Sequence, residues 1–285
     1  MASLRDVASL MRLGNSLAIG FASIVGYTVS GGSDWWTALL LFLSSSLIGA
    51  AGNVVNDIMD LEIDRINKPW RPLPSGRMSV RSAWILYAIL NIVGLSTALA
   101  LGILNGVVAA IAILLLFLYS WRLKKVLLVG NNVVASLSGI VLVYGGLPAP
   151  NPMNSLVPAI FAYLLILGRE FLKSLEDVEG DKKFGVATLA TVFGPRVAYV
   201  ASIIVIAILI ALSPLPFIFM GYRLPYILLA VLGTDLSLAV ALVIARRMDS
   251  RSAWRATRLM KISFVCGLLA FLLGAPSNHI LSFLA

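Results

Sequence analysis

Cysteine, histidine and charge are all scarce in this chain. Cys266 is the single cysteine among 285 residues. It permits no internal disulfide and no cysteine metal cluster. His279 is the single histidine, which argues against a His-based zinc site or a Ser-His-Asp triad. Only 12% of residues are charged, against roughly 25% in a soluble domain. Hydrophobic residues make up 60%, and the mean hydropathy is +0.96. One soluble core cannot bury that excess, so lipid is the solvent for most of the chain. The same composition excludes a disordered protein, a secreted disulfide scaffold and a coiled coil.

A membrane crossing needs roughly 20 mostly apolar residues. Nine stretches qualify, at about 13–30, 35–56, 82–101, 103–120, 126–146, 155–173, 196–213, 225–245 and 260–275. They are continuous apolar runs, not short alternating segments, so helices are predicted. The fold class is all-α: one integral-membrane domain, residues 1–285, built as a bundle of nine transmembrane helices. Gly102 and Asn105 give the only break between the third and fourth spans, and Pro214 and Pro216 end the seventh. Arg5 and Arg12 precede the first span with no evident small-residue cleavage site, so that span is expected to be retained.

The basic residues test the count. With nine spans, 21 of the 22 Lys and Arg residues fall on one side, and only Arg223 falls on the other. The positive-inside rule makes the first side cytoplasmic, with the N-terminus. The net charge of +9 is then mostly a topology signal, and no nucleic acid is needed to explain it.

The carboxylates are concentrated. Asp57, Asp60, Glu62 and Asp64 form one cluster, and Glu176, Asp177, Glu179 and Asp181 form another. Eight of 13 acidic residues thus occupy 14 positions, at the cytoplasmic ends of the second and sixth spans. At 100° per residue, Asn53, Asp57, Asp60 and Asp64 share an arc of about 60°, with Asn56 about 40° beyond it. Glu170, Lys173, Asp177 and Asp181 share an arc of about 80°. Such stripes repel themselves unless a cation neutralises them. Mg²⁺ takes oxygen ligands and commonly combines one or two carboxylates with substrate phosphates. Two such clusters facing each other would suit two or more Mg²⁺ ions holding a diphosphate. Solvated loop charges that only fix topology are the plainer alternative. The clustering, the common face and the matched second cluster weigh against it.

Basic partners follow the first cluster in the run DRINKPWRPLPSGR, which holds Arg65, Lys68, Arg71 and Arg77. Pro69, Pro72 and Pro74 stiffen it, since each locks its own φ. Stiffly held Arg suits a phosphate clamp, although any one of these bases also serves as a topology anchor. Tyr119 and Lys124 end the fourth span, Asn131 opens the fifth, and Arg12 and Asn15 open the first. Arg169, Glu170 and Lys173 lie on the last turns of the sixth, where charge usually faces the bundle interior. Asp235 is the one acid well inside a helix away from both clusters, either functional or structurally paired. The six bases from Arg246 to Lys261 form a surface that attracts anionic lipid, or simply mark topology.

The run NVVNDIMDLEIDRINKPWRPLPSG resembles the first aspartate-rich motif of the UbiA superfamily of intramembrane prenyltransferases. Its N-D-x-x-D-x-x-x-D-R pattern falls on Asn56, Asp57, Asp60, Asp64 and Arg65. The run REFLKSLEDVEGDKKFGVATLA resembles the second motif. Tyr119, Lys124, Asn131, Arg12 and Asn15 match family positions as well. Many members read K-D at the start of the second motif, whereas Ser174 follows Lys173 here. The departure bears on how many metal contacts that motif supplies.

Within the superfamily, both runs look most like the archaeal ether-lipid branch. That resemblance implies geranylgeranyl diphosphate as donor and geranylgeranylglyceryl phosphate as acceptor, with Mg²⁺ as cofactor. It implies Asn56, Asp60, Asp64, Asp177 and Asp181 as metal ligands. Arg12, Asn15, Arg65, Lys68, Arg71, Asn131, Arg169 and Lys173 are the implied substrate contacts, and Asp57, Lys124 and Tyr119 the catalytic residues. Three alternatives stand beside it: an aromatic acceptor within the same superfamily, a CDP-alcohol phosphotransferase, and a transporter. The D-G-x-x-A-R run of the second is absent. A transporter places its site near the midplane, whereas charge here gathers at one face.

Overall fold

A computed structural model of the chain describes residues 3–276; His279 lies outside them. The elements are helical throughout the described residues. They run α1 (Leu4–Leu10), α2 (Leu13–Val29), α3 (Trp35–Met59), α4 (Leu61–Asn67), α5 (Val80–Leu101), α6 (Ile103–Trp121) and α7 (Val129–Gly146). There follow α8 (Leu156–Glu176), α9 (Val178–Lys183), α10 (Leu189–Val192), α11 (Pro195–Leu212) and α12 (Leu215–Phe219). Next come α13 (Leu224–Leu228), a wider π-type turn (Leu229–Asp235), α14 (Leu236–Ala245) and α15 (Ser250–Gly274).

Among the described residues eight segments are apolar and long enough to cross a bilayer unaided, and the bent pair α1–α2 makes nine when taken as one span. The pair bends by 56° at Arg12, whose φ of +47° lies in the left-handed region that a side chain occupies only at a cost. The break between α5 and α6 is Gly102 at φ +146°, a conformation only glycine adopts freely. The chain is a multi-pass membrane protein.

The last helix differs from the expected 260–275. It begins at Ser250, capped by Asp249, whose Oδ1 accepts from the Ser252 amide at 2.8 Å. Ser252, Ala253, Ala256 and Thr257 turn inward while Arg251, Arg255 and Arg258 stay exposed. That helical period is amphipathic and not apolar, so a search for apolar runs passes over it.

The described chain forms two compact units. One joins the chain up to Ile24 with Asp34–Leu123; the other joins Val25–Ser33 with the chain from Lys124 onward. In the first, α3 packs on α5 and α6. Its core includes Ala50, Ala51, Val54 and Leu90, with Leu73 and Met78 of the proline-rich loop plugged into it. Small residues let the backbones approach: Ser44 Oγ donates to the Gly94 carbonyl at 2.9 Å. In the second unit, α8 is the central element, packed on α7, α11 and α15. Ser202 Oγ donates to the Gly168 carbonyl at 2.8 Å, fully buried. Gly26 there lies against α7, where an added Cβ would strike the Leu142 carbonyl oxygen.

Gly26→Ala should therefore destabilise the protein by about 1–3 kcal/mol through overpacking. Gly14→Ala, with nothing within 4 Å of its Cβ position, should be neutral. Thermal unfolding of both variants in detergent checks the contrast.

Candidate active site

The first acidic cluster does not sit on one continuous helix. α3 ends at Met59, and Asp60 takes φ −93° and ψ 6° before α4 resumes. The turn is closed by the Asp64 amide donating to the Asp60 carbonyl at 2.7 Å. An unbroken helix would have stacked Asp57, Asp60 and Asp64 along one repelling face. The backbone turns at Asp60, whose Oδ2 accepts from Asn56 Nδ2 at 3.0 Å.

Asp57 and Asp64 are almost wholly buried, with side chains 5% and 4% exposed. Both are neutralised by arginine. Arg12 Nη2 donates to Asp57 Oδ1 at 2.6 Å. Arg71 Nη1 donates to that same oxygen at 3.1 Å and to Asp64 Oδ2 at 2.5 Å. Arg71 is held there because Leu73 and Met78, on either side of the loop's turn, are anchored in the core. Burial pushes the Asp64 carboxyl above its usual range, while Arg71 and Lys68 pull it back. Arg77, which sequence reasoning treated as one loop base among several, buttresses the loop. Its Nε donates to Asp6 Oδ1 and its Nη2 to the Trp70 carbonyl, both at 2.8 Å. The spacing of Ser3 and Asp6, which form a capping box on α1, was the available signal for that anchor.

The other expected residues of this unit are placed as follows. Arg65 turns to Glu62 at 2.9 Å on the exposed side of α4. Asn15 is exposed on the first turn of α2, Lys68 is exposed, and Tyr119 is half-buried near the end of α6.

The second cluster repeats the local geometry within its own unit. α8 ends at Glu176, Asp177 takes φ −102° and ψ 7°, and α9 follows. The Asp181 amide donates to the Asp177 carbonyl at 2.8 Å. In both motifs an aspartate is the joint and another lies one turn beyond it. Burial, and then the charge of Asp177, push the Asp181 carboxyl up to about 6, against the pull of Lys173. Upstream, Glu170 is buried between Arg169, at 2.8 Å, and Lys173, at 3.8 Å. Ser174 is buried and donates to the Phe171 carbonyl at 2.7 Å. Its hydroxyl is committed within the helix, so the motif's carboxylates are Asp177 and Asp181.

Lys124 sits half-buried in the short turn Leu123–Lys125, whose Lys125 carbonyl accepts from the Ala187 amide at 3.2 Å. Asn131 is half-buried on the first turn of α7. Its neighbour Asn132, which the sequence did not flag, accepts from the Tyr163 hydroxyl at 2.7 Å. Asp235 is buried and accepts from Ser213 Oγ at 2.5 Å, while the Tyr226 hydroxyl donates to the Ser213 carbonyl at 2.8 Å. That is a structural pairing between helices, away from either motif in the chain.

No three acidic, histidine or cysteine side chains converge on a ready-made metal cage among the described residues. Mg²⁺ does not need one, because it is commonly held by one or two carboxylates completed by phosphate and water. Each motif by itself offers side-chain oxygens, the hard donors that Mg²⁺ takes. A divalent cation would offset the burial and the neighbouring charge that raise Asp181.

Removing Arg71 leaves Asp64 buried without its guanidinium. Arg71→Ala should cost up to about 3 kcal/mol of stability. Arg65→Ala, which breaks only an exposed pair, should cost under about 0.5 kcal/mol. Unfolding midpoints of the two variants in one detergent test the ranking.

Comparison with known proteins agrees with this architecture. The UbiA prenyltransferase family matches residues 16–283. The chain is 39% identical over 277 residues to digeranylgeranylglyceryl phosphate synthase of Sulfolobus acidocaldarius, covering 96% of this chain and 98% of that protein. It is 36% identical over 277 residues to the enzyme of that name from Methanocaldococcus jannaschii, at the same coverage of both. A solved structure described as digeranylgeranylglyceryl phosphate synthase in membranes superposes with a TM-score of 0.78 at 35% identity, over 97% of this chain and 99% of that one. A UbiA homologue from Archaeoglobus fulgidus, solved with GPP and Mg²⁺, shares the fold at a TM-score of 0.67 and 20% identity, over 93% of this chain and 99% of that one. The chain belongs to the UbiA prenyltransferase family.

Proposed function

We propose that this protein transfers a geranylgeranyl group from geranylgeranyl diphosphate to the free hydroxyl of geranylgeranylglyceryl phosphate. The reaction forms the second ether bond of an archaeal membrane lipid and releases diphosphate. One observation carries the reading: two matched helix breaks, each with an aspartate at the joint and another one turn on, in a chain whose near-full-length relatives bear the name of that synthase.

Asn56, Asp60, Asp64, Asp177 and Asp181 are assigned to Mg²⁺, in keeping with the Mg²⁺ and GPP reported for the Archaeoglobus homologue. Bound Mg²⁺ would neutralise the charge that grows on the departing diphosphate. Lys68, Lys124 and Lys173 add fixed positive charge around the phosphates, which is transition-state stabilisation of the same kind. Asp57 acts by position: it holds Arg12 and Arg71, and Arg71 in turn sets Asp64. Tyr119, Asn131, Asn15, Arg65 and Arg169 are assigned to lining or flanking the substrates. The C1–O bond of the allylic donor breaks with its electron pair on the diphosphate oxygen. The acceptor oxygen attacks C1 and gives up its proton. A lipid-embedded site keeps water from the cation-like prenyl group. The side that carries 21 of the 22 basic residues is taken as cytoplasmic, together with the N-terminus and both motifs. The whole chain is taken as one catalytic domain, with a motif from each of its two compact units.

The test is transfer of label from geranylgeranyl diphosphate by the detergent-solubilised protein, with geranylgeranylglyceryl phosphate and 4-hydroxybenzoate offered separately. Label should enter only the glyceryl phosphate. Asp60→Ala, Asp177→Ala and chelation of Mg²⁺ should each lower the rate at least about 100-fold. Label entering only the aromatic acid would overturn the acceptor.

A further inference from the structure

Some arginines of the chain are paired internally and others are open. Arg12, Arg65, Arg71, Arg77 and Arg169 each contact a carboxylate. Arg251, Arg255 and Arg258 have no ion pair among the described residues. They lie on the first three turns of α15 with Trp254, at spacings of three, four and seven that put all four on one stripe. All four are exposed. The Arg258 guanidinium stacks over the Trp254 ring at 3.9 Å.

α15 has 25 residues, about 37 Å of helix, against a hydrocarbon core of about 30 Å. Its first turns therefore stand at the headgroup level, where tryptophan settles. There Glu176, Asp177, Ser250, Arg251, Trp254 and Arg255 line an open groove of about 630 Å³. The groove is braced. Ser250 Oγ donates to the Glu176 carbonyl at 2.7 Å, and Thr257 Oγ1 donates to Glu176 Oε2 at 3.1 Å. Its two cations come from adjacent turns of one helix, and its far wall is the aspartate at the joint of the second motif.

We infer that Arg251 and Arg255 bind the phosphomonoester of the acceptor lipid and hold it beside Asp177, with Trp254 packed on the chain that follows the headgroup. Two guanidinium groups match the charge of a phosphomonoester, close to −2 near neutral pH, and Arg binds phosphate oxygens bidentately. A bilayer phosphodiester carries a single charge and gains less from the two guanidinium groups. The acceptor's free hydroxyl is on the carbon next to the one that bears the phosphate. Docking the phosphate here therefore keeps that hydroxyl near the second motif. This inference rests on the acceptor assigned under the proposed function and adds what recognises it.

The experiment uses the full chain in nanodiscs of neutral lipid. Calorimetric binding of geranylgeranylglyceryl phosphate is compared with that of geranylgeranylglycerol, which lacks the phosphate. The wild type should prefer the phosphate form by about 100-fold, the worth of two charge-assisted contacts. R251Q/R255Q should lose that preference, and R251K/R255K should recover part of it. In turnover, the acceptor KM of R251Q/R255Q should rise by a similar factor while the donor KM stays within about twofold. An acceptor preference or acceptor KM unmoved by R251Q/R255Q overturns the inference. So does a binding defect seen only when anionic phosphodiester lipid is added, which would make the groove a bilayer site. Displacement of the acceptor by millimolar inorganic phosphate alone would likewise make it a free-anion site. Phosphate-dependent binding without any prenyl transfer would overturn the proposed reaction and leave this site standing.

Discussion

A carboxylate at the edge of a membrane must be neutralised, and the first motif is arranged around that need. Asp57 and Asp64 are buried, and a buried charge without a partner is among the most costly features a fold can carry. Arg71 answers both, and Arg12 answers Asp57 a second time. Features that otherwise look unrelated follow from this. The proline-rich loop is pinned through Leu73 and Met78, so that Arg71 arrives from one direction. Arg12 takes a left-handed backbone conformation at the α1–α2 bend, a local strain offset by its 2.6 Å contact with Asp57. Arg77 and Asp6 tie the loop back to α1.

Both motifs also break the helix at an aspartate. The dihedral angles of Asp60 and Asp177 agree within about ten degrees. Each is followed by one hydrogen-bonded turn that sets the next carboxylate. In the first motif the acids on either side of the joint stay close enough to share Arg71, so their charge is met by a cation. Ser174 is buried and bonded within α8. The second motif therefore needs only two carboxylates to keep its electrostatic logic.

Much of this was legible in the sequence, for identifiable reasons. Spans showed as apolar runs because lipid tolerates nothing else, and the one-sided distribution of Lys and Arg fixed their number. The first span was harder to define, because it is a bent pair whose joint is an arginine. The start of α15 was missed because its first turns are amphipathic and carry charge. Within the motifs, residue identities were readable from spacing, but ideal periodicity assumed straight helices and could not show the breaks at Asp60 and Asp177. Which arginine meets which acid was not readable either. Arg65 and Arg71 look alike in sequence, yet one faces solvent with Glu62 and the other bridges two buried aspartates. That choice depends on how the loop folds, which local pattern does not encode.

The claim at the centre of this account is that the two aspartate motifs act on the diphosphate through Mg²⁺. The most direct measurement is equilibrium binding of a non-ionisable geranylgeranyl diphosphate analogue, with and without Mg²⁺. It would be made on the wild type and on Asp64→Asn and Asp181→Asn. The account predicts tight binding only with Mg²⁺ present, weakened at least about tenfold by either substitution. Binding that is equally tight without the metal, or indifferent to both substitutions, would contradict it.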